Sequence, residues 1–347
     1  MNENIAEINR QVTLWDNSTT TPPWMMEYFR WHHETKRNLN VGNWDRTKYL
    51  VMHCLERHTR CGGLSDRLRP LPVLILIAAR SQRLLLIQWT RPFPLEEFLV
   101  PPVGGIDWRA PAWLTRKFES EASPGKLKEV VRVAMTAALI VKTKVQSSDH
   151  GAKYYNNQTE ADSATFDEVQ RDIFQVFFEP SRAVARQLDA NMKELGLIPG
   201  QYAAAHFRAL YGRDSRPPGE MKAVSVNAVN CASELRPGGK VFFAADNKLA
   251  VEFVNEYAEM NSFPIVTLAH SDEPLHLDKA LNWTLRSPAD YYATFVDLLI
   301  LSRSRCVTYS NGGFGTFGLL LSYNISCSVR HFAKKILQVC PKWMAAK

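Results

Sequence analysis

From residue 202 to residue 323 the chain alternates between apolar runs of two lengths, and no other feature constrains its fold as much. Strand-length runs at 202–210, 240–245, 264–269 and 306–309 are separated by helix-length runs at 224–235, 249–260 and 288–304. Strands joined through helices pair in parallel, so this pattern predicts an α/β sheet covered by helices. Ligands of open parallel sheets bind beyond the carboxyl ends of the strands. The residues that follow each strand are therefore the ones to inspect.

Those residues carry chemistry. The first strand runs into Ala205-His206-Phe207-Arg208, the second into Asp246-Asn247, and the last into Ser310, Asn311, Gly312, Gly313, Phe314, Gly315 and Thr316. Glycines let main-chain N–H groups approach a phosphate, and a helix starting after the turn adds a positive dipole end. Arg208 is suited to hold a phosphate oxygen through two parallel hydrogen bonds. A glycine-rich strand-to-helix connection is by itself also the signature of a tight turn. The convergence of arginine, carboxylate and glycine turn on one edge is what points to a diphosphate.

At 347 residues the chain exceeds a single comfortable core, and the expectation is two domains. The reading is a loosely structured lead-in over 1–48, an N-terminal Rossmann-like domain over 49–198 and a C-terminal one over 199–347, parted at the Gly196 to Gly200 segment. In the first domain, 49–54 and 83–89 read as strands. The run 64–79 reads as one helix with Pro70 and Pro72 in its first turn. The stretches 90–125 and 147–160 read as surface loops, 128–145 is ambiguous, and 164–197 reads as one or two helices broken at Pro180.

With 46% hydrophobic and 22% charged residues, the composition is that of a folded globular protein. A net charge of +7 suits a polyanion, a membrane surface or a diphosphate. There is no run of five or six Lys/Arg and no nucleic-acid motif, so no nucleic-acid partner is expected. No stretch of about 20 apolar residues suggests a membrane segment. The sequons at Asn17, Asn157, Asn282 and Asn324 and six cysteines, an even number, point to a secretory lumen. Any N-terminal anchor then lies outside this sequence. His53, Cys54, His58 and Cys61 are zinc-type ligands at non-standard spacing, and Cys54 with Cys61 alternatively forms a disulfide.

The strand ends also resemble a family. His206-x-Arg208, the VFFAAD segment ending at Asp246, and the FVDLLILSRSRCVTYSNGGFG run at 295–315 are similar to the three ordered motifs of the GDP-fucose-using transferases, which include the alpha-1,6, alpha-1,2 and protein O-fucosyltransferases. CGGLSDRLRPL at 61–71 looks like the amino-terminal glycine loop of their algal and plant relatives. The resemblance implies an α/β fold of GT-B type with two facing Rossmann-like domains, inverting fucose transfer from GDP-fucose to a glycan or protein acceptor, no cofactor and no metal ion. It implies that His206 and Asp297 contact guanine or its ribose, that Arg208 and residues 310–316 hold the diphosphate, and that Asp246 lies beside the nucleotide. Gly62, Gly63 and Asp66 would line the cleft from the other domain.

Inverting transfer needs a group that takes the acceptor proton, or an acceptor activated by the departing phosphate itself. Asp214 and Glu220, after the His206-x-Arg208 strand, are the candidates, although carboxylates in a loop with Pro217-Pro218 are usually solvated. The chain departs from the family pattern at Ala209, where a second arginine is common, and at Gly315, where a serine is. The alternatives are therefore a transferase of another nucleotide sugar, or a catalytically weak nucleotide- or glycan-binding protein on the same fold.

Overall fold

The computed structural model describes residues 13–56, 61–120, 130–134, 166–210, 216–268, 275–277, 283–333, 336–338 and 340. The chain divides into two compact units. One comprises Met1–Cys61 and Arg67–Glu179, the other Gly62–Asp66 and Pro180–Lys347.

After a 3-10 turn at Leu14–Asn17, the first unit forms α1 (Pro23–Asn38), a 16-residue helix. This corrects the expected loose lead-in. Met25, Tyr28, Phe29 and His32 are buried, and their spacing of three, four and seven residues is one helical face. Then follow β1 (Tyr49–Cys54), α2 (Leu64–Leu68), whose first three residues group with the second unit, α3 (Leu71–Arg80) and β2 (Leu84–Trp89). The single helix expected over 64–79 is two, because Pro70 is the N-cap and Pro72 lies in the first turn of α3. A proline there removes no helical hydrogen bond, whereas in mid-helix it removes one.

The unit continues with α4 (Ala112–Ser120), β3 (Val130–Ala134) and α5 (Phe166–Phe177). The expected loop over 90–125 thus contains a helix, and the ambiguous 128–145 segment contains a strand. The expected loop at 147–160 lies outside the described residues. The three strands pair in parallel in the order β2-β1-β3, with Tyr49 opposite both Leu84 and Val130. Leu114 and Phe118, one turn apart on α4, pack on Tyr49, Val51, Leu84 and Leu86.

β2 is an edge strand, and its open backbone groups need partners. α1 supplies them. The Leu85 N–H donates to the Tyr28 hydroxyl at 3.1 Å, which donates onward to the Arg83 carbonyl at 3.0 Å. His32 Nε2 meets the Leu85 carbonyl at 2.8 Å, and burial pushes the His32 imidazole down to about 4. The ring is neutral, so Nε2 carries the proton it donates.

In the second unit come α6 (Arg182–Glu194), β4 (Ala203–Phe207), α7 (Pro218–Leu235), β5 (Val241–Ala245), α8 (Lys248–Asn261), β6 (Ile265–Thr267), α9 (Tyr292–Ser302), β7 (Cys306–Tyr309), α10 (Gly313–Leu321) and β8 (Ser328–Arg330). Their sheet has the order β8-β7-β4-β5-β6, parallel throughout. α6 belongs to this unit rather than to the first, as a boundary near residue 199 would have it. The reason is that α6 packs against α9 and buries Val184, Leu188 and Met192.

β4 reads Ala-Ala-Ala-His-Phe and is buried at every position. Ala203 and Ala205 share a core with Val224, Ala228 and Ala232 of α7. Small side chains on both surfaces allow close approach, and the Thr308 hydroxyl of β7 reaches the Ala228 carbonyl at 2.9 Å.

All six cysteines are paired, as Cys54–Cys61, Cys231–Cys340 and Cys306–Cys327. The first bond takes both thiolates away from the zinc reading of that segment; His58 lies outside the described residues. Such bonds are those of an oxidising compartment, consistent with a secreted or lumenal protein. Among the described residues no helix is long and apolar enough to cross a membrane.

Candidate functional site

The parallel register sets the carboxyl ends of three strands side by side. His206 of β4 lies opposite Ala244 of β5 and Tyr309 of β7. The residues that follow therefore meet. The Arg208 main-chain N–H donates to the Ser310 hydroxyl at 2.8 Å, and the Ser310 N–H donates to the His206 carbonyl at 3.2 Å. Arg208 Nη1 forms an ion pair with Asp246 Oδ2. Asp246 Oδ1 also accepts from the N–H of Ala209 at 2.6 Å and of Leu210 at 3.3 Å. Nε and Nη2 of Arg208, the side-on fork of the guanidinium, make no hydrogen bond among the described residues. That fork is the geometry that binds two oxygens of a phosphate.

The turn after β7 is shaped by Gly312, whose φ of 99° belongs to glycine. Gly312 is the N-cap of α10 and has no side chain to cap it, so the first N–H groups of the helix are available to an anion. Arg330 Nη2 holds Asn311 Oδ1 at 2.7 Å, and the Thr316 hydroxyl turns back to the Gly312 carbonyl at 3.2 Å.

Gly62, Gly63 and Asp66 belong to a segment, 62–66, that groups by its contacts with the second unit. Gly62 has φ 81°, and the Gly63 N–H donates to Asp66 Oδ2 at 3.0 Å. A Cβ on Gly313 would lie 2.6 Å from the Ser65 hydroxyl and 3.4 Å from Asp66 Oδ1. The two glycine turns are thus in direct contact.

His206 is 4% exposed, its ring 4.9 Å from that of Phe314. Its Nδ1 has no hydrogen-bond partner among the described residues. Burial first, then the charges of Arg208 and His331, pushes its imidazole down to about 3. The ring is neutral. A Cβ on Gly315 would lie 2.9 Å from His206 Nδ1 and 3.0 Å from Tyr309 Cβ. Glycine at 315, read from the sequence as a departure, is what the buried histidine requires. Asp297 lies buried on α9.

Ala209 is fully buried, with its carbonyl accepting from Arg216 Nε. Arg216 is itself buried, 5.7 Å from the Phe207 ring and 5.2 Å from the Phe332 ring, and its Nη1 pairs with Glu220. Glu220 is therefore engaged by Arg216 at the first turn of α7. Asp214 lies outside the described residues. Sequence reasoning missed Arg216, Arg330 and His331. The His331 Nε2 meets the His206 carbonyl at 3.1 Å, and no motif signals that contact.

No family model and no curated protein matches the chain. Solved structures do. An Arabidopsis thaliana FUT1 mutant in complex with GDP is 12% identical, with a TM-score of 0.54 over 86% of this chain and 77% of that one. NodZ alpha-1,6-fucosyltransferase soaked with GDP-fucose is 16% identical over 80% of this chain and 93% of that one, with a TM-score of 0.46. POFUT1 in complex with GDP-fucose is 10% identical over 88% and 78%, with a TM-score of 0.32. The likeness to FUT1 shows a shared fold, the α/β architecture of GT-B type expected from the strand-end motifs.

Proposed function

We propose that the protein is a glycosyltransferase that takes its sugar from a nucleoside-diphosphate donor, with GDP-fucose as that donor and a glycan or glycoprotein as acceptor. The observation that carries this reading is the Nε–Nη2 fork of Arg208, free of hydrogen bonds among the described residues, beside the uncapped start of α10, on the carboxyl edge of a parallel sheet. The choice of guanine and fucose is supported by the motif resemblance and by the fold shared with FUT1, whose structure holds GDP. The disulfides support a secretory compartment such as the Golgi lumen.

In the proposed reaction an acceptor hydroxyl attacks C1 of the sugar from the face opposite the diphosphate. The C1–O bond to the β-phosphate breaks, and GDP leaves with the electron pair. The hydroxyl proton passes to a carboxylate base, for which Asp214 is the candidate because Glu220 is engaged by Arg216, or to the departing phosphate itself. Arg208 and the N–H groups of 313–316 meet the charge that develops on the departing diphosphate. Neutral His206 and Asp297 are assigned to the nucleoside, and Asp246 to holding Arg208 in place.

Calorimetric titration with GDP, UDP and ADP, followed by assay with GDP-fucose, tests this. GDP is expected to bind most tightly, and Arg208→Ala to weaken it roughly ten- to a hundredfold, the worth of a charge-assisted hydrogen bond. Equal affinity for UDP overturns the donor assignment. GDP binding with neither transfer nor hydrolysis of GDP-fucose makes the protein a binding module instead.

A further inference from the structure

The first unit has its own parallel strand ends, and they carry positive charge that the donor site does not use. Arg91 follows β2 by two residues and is only 8% exposed. Its Nε is buried without a hydrogen-bond partner, and its guanidinium forms no ion pair with a carboxylate among the described residues. Its carbonyl accepts from Nη1 of Arg67 at 2.6 Å. Arg67 is fully buried, its guanidinium 4.5 Å from the Trp89 ring centre. Arg69, two residues on, also keeps a buried Nε with no partner.

Removing a guanidinium from water is costly unless an acceptor or a counter-charge replaces the water. Proteins that bury arginine for structure alone give it such a partner, as this chain does for Arg216 with Glu220. Arg91 has none. It stands at the carboxyl end of β2, the side of a parallel sheet on which ligands bind. Arg67, held by the Arg91 main chain and stacked on Trp89, keeps a second positive charge close by.

We propose that this edge of the first unit binds the anionic group of an acidic saccharide, a carboxylate or a sulfate, with Arg91 as the contacting residue. The inference deepens the transferase reading and rests on it for two points, that the anion is carried by a saccharide and that this saccharide is the acceptor.

The test is calorimetric titration of the full chain with three tetrasaccharides, one of galacturonate units, one sulfated and one neutral, with inorganic sulfate as a fourth probe. At least one acidic tetrasaccharide should bind about tenfold or more tightly than the neutral one, and the arm that binds identifies the anion. Arg91→Gln should abolish that preference, Arg91→Lys should restore part of it, and both should leave GDP affinity unchanged. Equal binding of acidic and neutral tetrasaccharides, or a preference that survives Arg91→Gln, overturns the proposal. So does binding of inorganic sulfate with no acidic saccharide. If Arg91→Gln fails to fold, Arg91→Lys carries the test, since an ammonium cannot reproduce the guanidinium fork: a preference weakened several-fold supports the proposal and an unchanged one overturns it. Should the acidic saccharide bind while GDP does not, the anion site stands and the transferase reading falls.

Discussion

Asp246 pairs with Nη1 of Arg208 through one oxygen and accepts the Ala209 and Leu210 N–H groups through the other. One carboxylate thus orients the guanidinium and shapes the chain that follows β4. Asp246→Ala should therefore weaken GDP binding nearly as much as Arg208→Ala, and the double variant should lose little more than either alone, since residues acting as a unit are not additive. Asp246→Asn retains an acceptor and should recover part of the affinity. Additive losses in a calorimetric double-mutant cycle would show that the two side chains act separately.

Gly315 is the tightest point under the buried histidine. Gly315→Ala places a methyl 2.9 Å from His206 Nδ1 and should destabilise the fold by about 1–3 kcal/mol, the usual cost of overpacking. His206→Ala in the same chain should relieve most of that loss. Chemical denaturation of the two single variants and the double variant reads this directly, and a Gly315→Ala protein as stable as wild type would contradict the contact.

Glu220 is expected to serve Arg216 rather than the reaction. Glu220→Gln removes the charge that faces a buried guanidinium and should lower the unfolding midpoint while leaving kcat within a few-fold of wild type. A loss of about a hundredfold or more in kcat at unchanged stability would instead identify Glu220 as the general base.

Acid should unfold the protein through its buried histidines. His32, His206 and His331 are held at about 4, 3 and 4, against an ordinary value near 6.5 in the unfolded chain. Between those limits the unfolded state binds protons that the folded state does not. The stability they contribute is full above pH 6.5 and is lost as the pH falls toward 4 and 3. At pH 5 the loss is about 2 kcal/mol for each histidine. Thermal unfolding from pH 7.5 to 4.5 should show the decline, and His331→Gln should flatten it.

Much of this was legible in the chain itself. β4 to β7 and the helices α7 to α9 fall where the alternation of apolar runs put them, because a buried parallel strand is a short apolar block and its covering helix a longer one, whereas β8 (Ser328–Arg330) gave no such run. The turn at 310–316 was legible because only glycine supplies the positive φ that Gly312 adopts. α1 was equally present as Met25, Tyr28, Phe29 and His32 at helical spacing, but polar neighbours masked it.

Local pattern therefore determined the element types, the strand ends and the list of residues able to meet a diphosphate. What only the tertiary structure decided is who partners whom. Arg208 and Asp246 are 38 residues apart in sequence, and their pairing follows from the parallel register of β4 and β5. The glycine loop at 62–66 meets Gly313, 247 or more residues later by the numbering, and the packing leaves Arg91 without a counter-charge among the described residues. Such relations depend on which strands become neighbours. Periodicity along a chain records the burial of each residue and carries no address for its contact.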